Sequence, residues 1–282
     1  SNIVYNAGAS YTASSKQRQI VFRAVWKKTV LWKGEIAEEF GAGSGTSEDP
    51  YQIATAGELA KMADDIKNKN ISYYDTYFLL VDDIDLNQML WTPIGIDPDR
   101  CFEGCFDGGG HTISSLLLDS TSDQYVGLFG YAEDAEIINL NMESVDINVS
   151  YTSCVVGSGN YDMELCTGAI VGCLDGGLLS ECSVSGSVCG SVILEAGTGS
   201  GHFYGLFPGM TGGIAGTVGK GTIVEKCTNS AFVGGESIIA GGIVGYVDDS
   251  SFHPSLISGC HNEGTVNNSF QVNIAGGIAG RI

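Results

Sequence analysis

The sequence is short of basic residues and of proline, and both shortages narrow what the chain can be. It has 13 Lys and Arg against 33 Asp and Glu, and no Lys or Arg at all between Cys101 and Gly219. Because proteins bind nucleic-acid phosphates and anionic lipids through cationic side chains, such a surface repels both. Only 5 residues are Pro whereas 41 are Gly, which excludes collagen and Pro-rich disordered tracts and favours short strands joined by tight turns. We therefore expect no nucleic-acid partner.

Long apolar runs are also absent. No stretch of 18 uninterrupted apolar residues occurs, so we predict that this chain does not insert directly into a membrane. The nine Cys are an odd number and too few for a disulfide-stabilised scaffold of 282 residues. The sequence stops inside a motif that also occurs upstream, at Gly276–Ile282. We interpret the chain as a fragment of a larger exported protein.

The charge changes sign near Gly34. Residues 1–34 contain six Lys and Arg and no acid, whereas the remaining seven bases share the rest of the chain with all 33 acids. So sharp a reversal is typical of a module boundary. We predict two parts, a short β appendage at 1–34 and a larger domain at 35–282.

A glycine motif recurs through the larger domain. Its clearest copies are Gly212-Gly-Ile-Ala-Gly216, Gly241-Gly-Ile-Val-Gly245 and Gly276-Gly-Ile-Ala-Gly280, and looser copies are Val126-Gly-Leu-Phe-Gly130 and Thr167-Gly-Ala-Ile-Val-Gly172. Aligned on the glycines at 127, 168, 213, 242 and 277, the intervals are 41, 45, 29 and 35 residues. A phosphate-binding loop does not explain the motif, because no amphipathic helix follows and one cofactor would not require five copies.

The repeats predict an all-β solenoid. Each repeat offers two or three short strands, none able to bury its apolar side alone, and stacking the repeats closes a continuous core. Unequal repeat lengths disfavour a propeller, whose blades must fit one circle, whereas a parallel β-helix tolerates insertions at its turns. We expect Ile214, Ile243 and Ile278 of the motif to face this core.

One helix precedes the repeats. Thr55 and Glu58 have the spacing of a capping box, and Leu59, Met62, Ala63 and Ile66 form an apolar stripe at helical spacing. The pattern predicts an α-helical cap over residues 55–69, which would cover the open end of the core and block edge-to-edge association.

Several ordered motifs resemble a known family. Pro50-Tyr-Gln-Ile53, Asp83-Ile-Asp-Leu86, Trp91-Thr-Pro-Ile-Gly95, Phe106-Asp-Gly-Gly-Gly-His-Thr-Ile113 and Gly127-Leu-Phe-Gly130 are similar to the GLUG-motif family of bacterial surface proteins. Similar modules precede the catalytic domain in some Gram-positive IgA-cleaving metallopeptidases. The resemblance covers residues 41–282 and implies a right-handed β-helix on an exported, wall-anchored or adhesin-like protein. The activity of this family is poorly defined, so the resemblance assigns no functional residue.

A second resemblance concerns the N-terminal part. Gly8-Ala-Ser-Tyr-Thr12 and Ile20-Val-Phe-Arg-Ala-Val-Trp26 resemble the end of an internalin-type B repeat, a small β-grasp module of bacterial surfaces. Residues 1–34 would then be the C-terminal remnant or linker of such a repeat.

Acidic residues supply the candidates for metal binding and catalysis. Asp82, Asp83 and Asp85 could bind Ca²⁺, but strand alternation places Asp82 on the opposite side, which favours turn capping. Asp107 with His111 could act as a catalytic acid and its partner, although an Asp-Gly turn explains the same residues. A turn also explains the segment around Asp97 and Asp99. We expect no metal and no cofactor.

The cysteines are expected to be mostly buried free thiols. Cys182, Cys227 and Cys260 occupy equivalent repeat positions, which predicts an interior ladder. Cys101 and Cys105 are too far apart on an extended strand to pair. One or two bridges could form among four further residues: Cys154, Cys166, Cys173 and Cys189. The four His residues show no metal-ligand spacing.

The function that the sequence favours is a non-enzymatic, extracellular module of the bacterial cell surface. We predict a monomeric rigid spacer or adhesin-like module that binds glycan or a host or neighbouring polymer through loops 149–166 and 190–211. The candidates for stacking on sugars are Tyr151, Tyr161, Phe203 and Tyr204. Two alternatives stay open. One is a glycan-processing β-helix enzyme, a hydrolase or lyase, and the other is an accessory domain of a larger surface metallopeptidase.

Overall fold

Short parallel strands account for most of the ordered structure in this computed structural model. It describes residues 31–154, 165–195, 209–236, 239–248, 253–268 and 274–282, and within these ranges it contains 26 strands and one helix. The prediction of a mainly β chain with one helix is confirmed. The predicted β appendage at 1–34 lies almost wholly outside the described residues, including both segments that resemble a B repeat.

The N-terminal part of the described chain contains the helix and six short strands. These elements are β1 (Tyr51–Ile53), α1 (Ala56–Lys69), β2 (Tyr77–Leu80), β3 (Ile84–Asp85), β4 (Cys105–Asp107), β5 (Thr112–Ser114) and β6 (Leu117–Leu118).

Five repeats follow, each starting with a glycine motif. The first contains β7 (Tyr125–Val126), β8 (Phe129–Glu133), β9 (Glu136–Ile138) and β10 (Asn141–Cys154), and the second β11 (Leu165–Gly168), β12 (Val171–Asp175), β13 (Leu178–Ser180) and β14 (Ser183–Glu195). The third contains β15 (Gly209–Gly212), β16 (Ala215–Gly219), β17 (Ile223–Glu225), β18 (Thr228–Asn229) and β19 (Phe232–Gly235). The fourth contains β20 (Ile239–Gly241), β21 (Val244–Asp248), β22 (Leu256–Ser258), β23 (His261–Asn262) and β24 (Val266–Asn268), and the fifth β25 (Ile274–Gly276) and β26 (Ala279–Arg281).

The strands form four parallel sheets. Sheet I has the order β1-β2-β4-β9-β13-β17-β22, sheet III the order β7-β11-β15-β20-β25, and sheet IV the order β8-β12-β16-β21-β26. Sheet II contains the remaining nine strands: β3, β5, β6, β10, β14, β18, β19, β23 and β24. The first four repeats visit the sheets in one order, III, IV, I and II. Each strand therefore pairs with the equivalent strand of the next repeat.

Equivalent side chains stack in columns through the main core. In sheet IV, Phe129, Val171, Ala215 and Val244 occupy paired positions and all are buried. Of the motif isoleucines, Ile214 and Ile243 are fully buried in this core, whereas Ile278 is 37% exposed. The expectation for Ile278 is wrong, because no described strand stacks on the fifth repeat to cover it.

Glycine is needed where sheet III turns into sheet IV. A Cβ on Gly213 would lie 2.3 Å from the carbonyl oxygen of Gly242, and a Cβ on Gly242 would lie 2.1 Å from that of Gly277. No real side chain tolerates such contacts, so the motif glycines allow one repeat to approach the next at this corner. A second, smaller hydrophobic cluster, separate from the main core, consists of Cys101, Tyr131, Cys166, Cys173, Met210 and Ile239.

The predicted thiol ladder is present. Cys182 and Cys227 are buried in the main core, and Cys260 packs against it. Each thiol lies near a backbone carbonyl of the preceding repeat, at 3.8 Å from Ile137, 3.6 Å from Leu179 and 3.6 Å from Val224, respectively. None of the described cysteines forms a disulfide, and this includes Cys101, Cys105, Cys166, Cys173 and Cys189. The side chain of Cys154 lies outside the described residues.

The helix α1 has the predicted capping box. Thr55 accepts a hydrogen bond from the Glu58 backbone, and the Glu58 carboxylate accepts from Thr55 in return. The same carboxylate accepts from the backbone N–H groups of Gly41 and Ala54, at 2.8 and 2.9 Å. Glu58 therefore ties the helix start to the preceding segment at Gly41. Leu59, Met62 and Ile66 bury the apolar side of the helix in the main core.

Candidate functional site

The three acids of the calcium hypothesis cap backbone groups. Asp82 accepts a hydrogen bond from the Asp83 backbone at 3.0 Å, and Asp85 accepts from the Asn87 backbone at 2.8 Å. Asp83 accepts from the Thr112 backbone at 3.0 Å and lies 3.1 Å from Nδ1 of His111. These hydrogen bonds are the kind that the turn-capping interpretation predicts. Among the described residues, no three His, Cys, Asp or Glu are placed to hold a metal ion.

Asp107 lies in a turn. Its carboxylate accepts from the Gly109 backbone at 2.8 Å and from the Asn139 amide at 3.0 Å, and His111 donates its backbone N–H to Gly108. The His111 ring contacts Asp83 instead. The proposed acid and partner are therefore not assembled as a pair.

The segment around Asp97 and Asp99 is also a turn, as predicted. The backbone N–H of Arg100 donates to the carbonyl of Asp97, and its guanidinium forms an ion pair with the Asp97 carboxylate at 2.5 Å.

The aromatic candidates for sugar stacking are not found on a described surface. Tyr151 is only 8% exposed and packs in the main core, while Tyr161, Phe203 and Tyr204 lie outside the described residues. The predicted loops 149–166 and 190–211 are partly wrong, because β10 continues to Cys154 and β14 to Glu195. The two strands stay paired to their ends, where Cys154 lies beside Glu195. Side chains alternate along β10, and those of Val149 and Tyr151 are buried.

An ion network lies at the end of sheet IV. Glu133 and Asp175 are paired neighbours on β8 and β12, and the Lys220 amine contacts them at 2.6 and 3.2 Å. Tyr131 donates its hydroxyl to Asp175 at 2.7 Å. Hydrogen bonding to Glu133 raises the pKa of Lys220, while burial raises the pKa of Tyr131. The charged amine therefore bridges the two carboxylates at the end of the sheet.

The strongest candidate for a binding site is a groove beside α1, which we call the Leu90 groove. It consists of two adjoining cavities of about 230 and 160 Å³ that share Lys67, Leu90, Trp91 and Thr92. The first cavity is lined further by Trp32, Gly34, Ile36, Ala60, Ala63, Asp64 and Asn68, and the second by Pro93, Ile96, Leu118, Asp119, Ser120, Asp123 and Tyr125.

The floor of the Leu90 groove is apolar and fixed. Trp91 donates its backbone N–H to the carbonyl of Leu117 at 3.0 Å and its indole N–H to that of Leu128 at 3.1 Å. The Trp32 ring lies 5.8 Å from the Trp91 ring and donates its indole N–H to the carbonyl of Glu35. Leu90 remains 62% exposed between these anchored neighbours.

The charged residues of the groove lie mainly along its second cavity. Asp119 and Asp123 are exposed, and no cation of the described chain is within ion-pair distance of either. Asp64 is paired on the helix, with Lys69 at 3.5 Å and the Asn68 amide at 2.7 Å. The Leu90 groove therefore combines exposed apolar surface with two carboxylates that form no ion pair with any described residue.

Sequence reasoning missed this groove. Its residues come from four separated stretches, around 32–36, 60–68, 90–96 and 118–125, and no local spacing joins them. One signal was available in retrospect, the apolar Leu90-Trp91 pair outside any strand, but only the folded chain shows that Leu90 stays uncovered.

Comparison with known proteins identifies distant relatives. No family model matches the chain. A protein of Evansella cellulosilytica, provisionally named a Gly-rich membrane protein, is 36% identical over 126 residues, which are 42% of this chain and 14% of that protein. Halomucin of Haloquadratum walsbyi is 31% identical over 160 residues, which are 53% of this chain and 2% of that protein. The chain thus spans only a small part of either relative.

A solved structure shares the fold. The crystal structure of a protein from Bacteroides ovatus, provisionally described as an immunoglobulin A1 protease, matches with a TM-score of 0.52 and 20% sequence identity. The match covers 85% of this chain and 86% of the other. In the part of the chain that the structure describes, no helix is long and apolar enough to span a bilayer.

Proposed function

We propose that the chain is a non-enzymatic module of a bacterial cell-surface protein, folded as a GLUG-type right-handed parallel β-helix and acting as a rigid, adhesin-like arm that binds a polysaccharide. The observation that carries the proposal is the in-register stacking of repeats across four parallel sheets. Such stacking builds a stiff body in which each repeat contacts its neighbours, a design suited to extended binding surfaces.

The acidic side chains support a non-enzymatic role. A retaining or inverting glycosidase needs one protonated carboxylic acid beside a second carboxylate. Asp83, Asp85 and Asp107 accept backbone hydrogen bonds, and Glu133 and Asp175 form ion pairs with the Lys220 amine. These five acids therefore have structural partners.

The relatives support an extracellular setting. One is provisionally named as a Gly-rich membrane protein, and the likeness spans a small part of each relative, as expected for a module of a larger surface protein. A second proposal, an accessory domain of a larger surface metallopeptidase, rests on the protein of similar fold that is provisionally described as an immunoglobulin A1 protease. A zinc-binding motif elsewhere in the full-length gene would favour it.

A panel of immobilised polysaccharides tests the main proposal with the whole chain. We expect saturable binding to at least one polysaccharide and no increase in reducing ends or unsaturated products after long incubation. Shortened oligosaccharides would overturn the non-enzymatic role, and failure to bind any member of a broad panel would overturn the binding role.

A further inference from the structure

We infer that the Leu90 groove binds a polysaccharide whose sugars carry free amino groups. The inference rests on the proposed function and specifies both the place of binding and the class of ligand. It follows from three properties of the groove, which are its exposed apolar floor, its two carboxylates without an ion pair to any described residue, and its rigid sides.

The floor provides the apolar contact that a sugar ring needs. Leu90 and Ile36 are 62% and 52% exposed although both line the groove, and burying such surface on binding is favourable by about 25 cal/mol per Å². Trp32 and Trp91 direct their indole N–H groups to backbone carbonyls. Trp91 is only 4% exposed and supports the floor from below, whereas the half-buried Trp32 ring offers apolar surface that suits the C–H face of a sugar.

The charges select the class of sugar. Asp119 and Asp123 lack an ion-pair partner among the described residues, and the sequence as a whole carries a net charge of −20. A cationic ligand is drawn to this surface, and uronate or phosphate polymers are repelled, because complementary potentials steer encounter and suppress wrong partners. Protonated amino groups on a polymer of amino sugars supply that complement, and the exposed Lys67 places one repelling charge mid-groove.

The sides of the groove are preorganised. On one side, α1 is held by the Glu58 hydrogen bonds and by Asp65, which contacts Lys61 and Lys69 at 2.7 and 2.5 Å. On the other side, β6 pairs in parallel with β10. A site that needs little ordering on binding keeps more of its contact energy as affinity. The two cavities together reach the lower end of the roughly 300–1,000 Å³ of typical ligand sites.

The test compares four soluble probes by isothermal titration calorimetry at low ionic strength. The probes are a glucosamine hexamer, the N-acetylglucosamine hexamer, an oligogalacturonate and an oligolysine peptide. We expect the whole chain to bind the glucosamine hexamer and to bind the N-acetylated hexamer with an affinity at least about tenfold lower. No binding of oligogalacturonate is expected.

Two pairs of variants locate the site. The double variant Asp119→Asn/Asp123→Asn is expected to lose about tenfold or more in affinity, whereas Glu236→Gln/Glu263→Gln, which removes the same charge from exposed positions of the third and fourth repeats, should leave binding unchanged. Leu90→Ser should weaken binding, and Leu256→Ser, at an equally exposed leucine of sheet I (54%), should not. All positions are on the surface, so circular dichroism should show native spectra for every variant.

Each other outcome overturns the inference. Equal binding of the acetylated hexamer would contradict the charge selection, and unchanged binding in both groove variants would place the site elsewhere. Groove-dependent binding of oligolysine without the amino-sugar hexamer would assign the groove to a basic peptide. If the polysaccharide panel shows binding that the groove variants leave intact, the inference fails while the proposed function stands.

Discussion

The glycine corners give the sharpest test of the stacked architecture. Gly242 and Gly277 occupy the same position of the motif in the fourth and fifth repeats. A Cβ on Gly242 would lie 2.1 Å from the Gly277 carbonyl oxygen and 2.4 Å from the Asn262 amide carbon, whereas a Cβ on Gly277 would meet nothing within 4 Å. Neither glycine has a positive φ, so the substitution to Ala differs between them only in the space available.

We expect Gly242→Ala to destabilise the protein by about 3 kcal/mol, the upper part of the range of roughly 1–3 kcal/mol for overpacking, because the obstructing atom is a backbone oxygen of the next repeat. This corresponds to a fall in the thermal midpoint of about 6 to 12 °C for a domain of roughly this size. Gly277→Ala should change stability by less than about 0.5 kcal/mol. Thermal and urea unfolding followed by circular dichroism measure both. Equal losses for the two variants, or a harmless Gly242→Ala, would refute the stacking of repeats at this corner.

Three further predictions concern buried polar groups. Glu58→Gln should lower stability by about 1–3 kcal/mol, because an amide replaces a carboxylate that accepts four hydrogen bonds. Urea unfolding measures the loss. The control Glu38→Gln, at an exposed acid, should leave stability unchanged. Burial opposes ionisation of Asp65, but hydrogen bonds from its Lys and Tyr partners outweigh it and lower the pKa of Asp65. Its contribution is therefore present above about pH 4 and lost as the pH falls through the depressed value. Asp65→Asn should flatten the decline of the thermal midpoint between about pH 5 and 3, and an unchanged slope would contradict this assignment. Hydrogen bonding to the Cys182 thiol raises the pKa of Cys227 to about 12. Alkylation of Cys227 at pH 8 should therefore be about a thousandfold slower in the native protein than in urea. Mass spectrometry of the labelled peptide measures both rates, and equal rates would contradict the prediction.

Local patterns predicted the elements whose causes lie within one segment of sequence. The capping box of Thr55 and Glu58 and the stripe beginning at Leu59 are local, and α1 follows at Ala56–Lys69. The thiol ladder was predictable for a similar reason. Stacked repeats place equivalent positions side by side, so the recurrence of Cys182 and Cys227 was enough to place both in the interior.

Features that depend on contacts between distant segments were not predictable. A loop was expected to begin at residue 149, but the pairing of β10 with β14 extends both strands beyond that point. His111 meets Asp83, 28 residues away, instead of Asp107. Ile278 matched its motif perfectly and is nevertheless exposed, since burial depends on whether a neighbouring repeat covers the position.

Buried Asn229 also escaped prediction. Its side chain accepts the Ala231 backbone N–H at 3.0 Å and donates to Asn262 of the next repeat at 2.9 Å. A single Asn in a polar segment ordinarily indicates a surface turn. Only the stack of repeats turns it into an interior group, where its hydrogen bonds are satisfied by its own backbone and by its counterpart.

The unequal repeat lengths have a consequence for how such a protein can change. Between sheets II and III, the chain takes ten residues to pass from Cys154 to Leu165 but only three from Gly235 to Ile239, while sheets III and IV keep the same register throughout. Much of the variation in length thus falls in connections between strands, here and again between Asp248 and Leu256, while the pairing between repeats is kept. New recognition segments can be inserted or exchanged in such connections, by evolution or by design, while the stacked core that keeps the molecule folded stays unchanged.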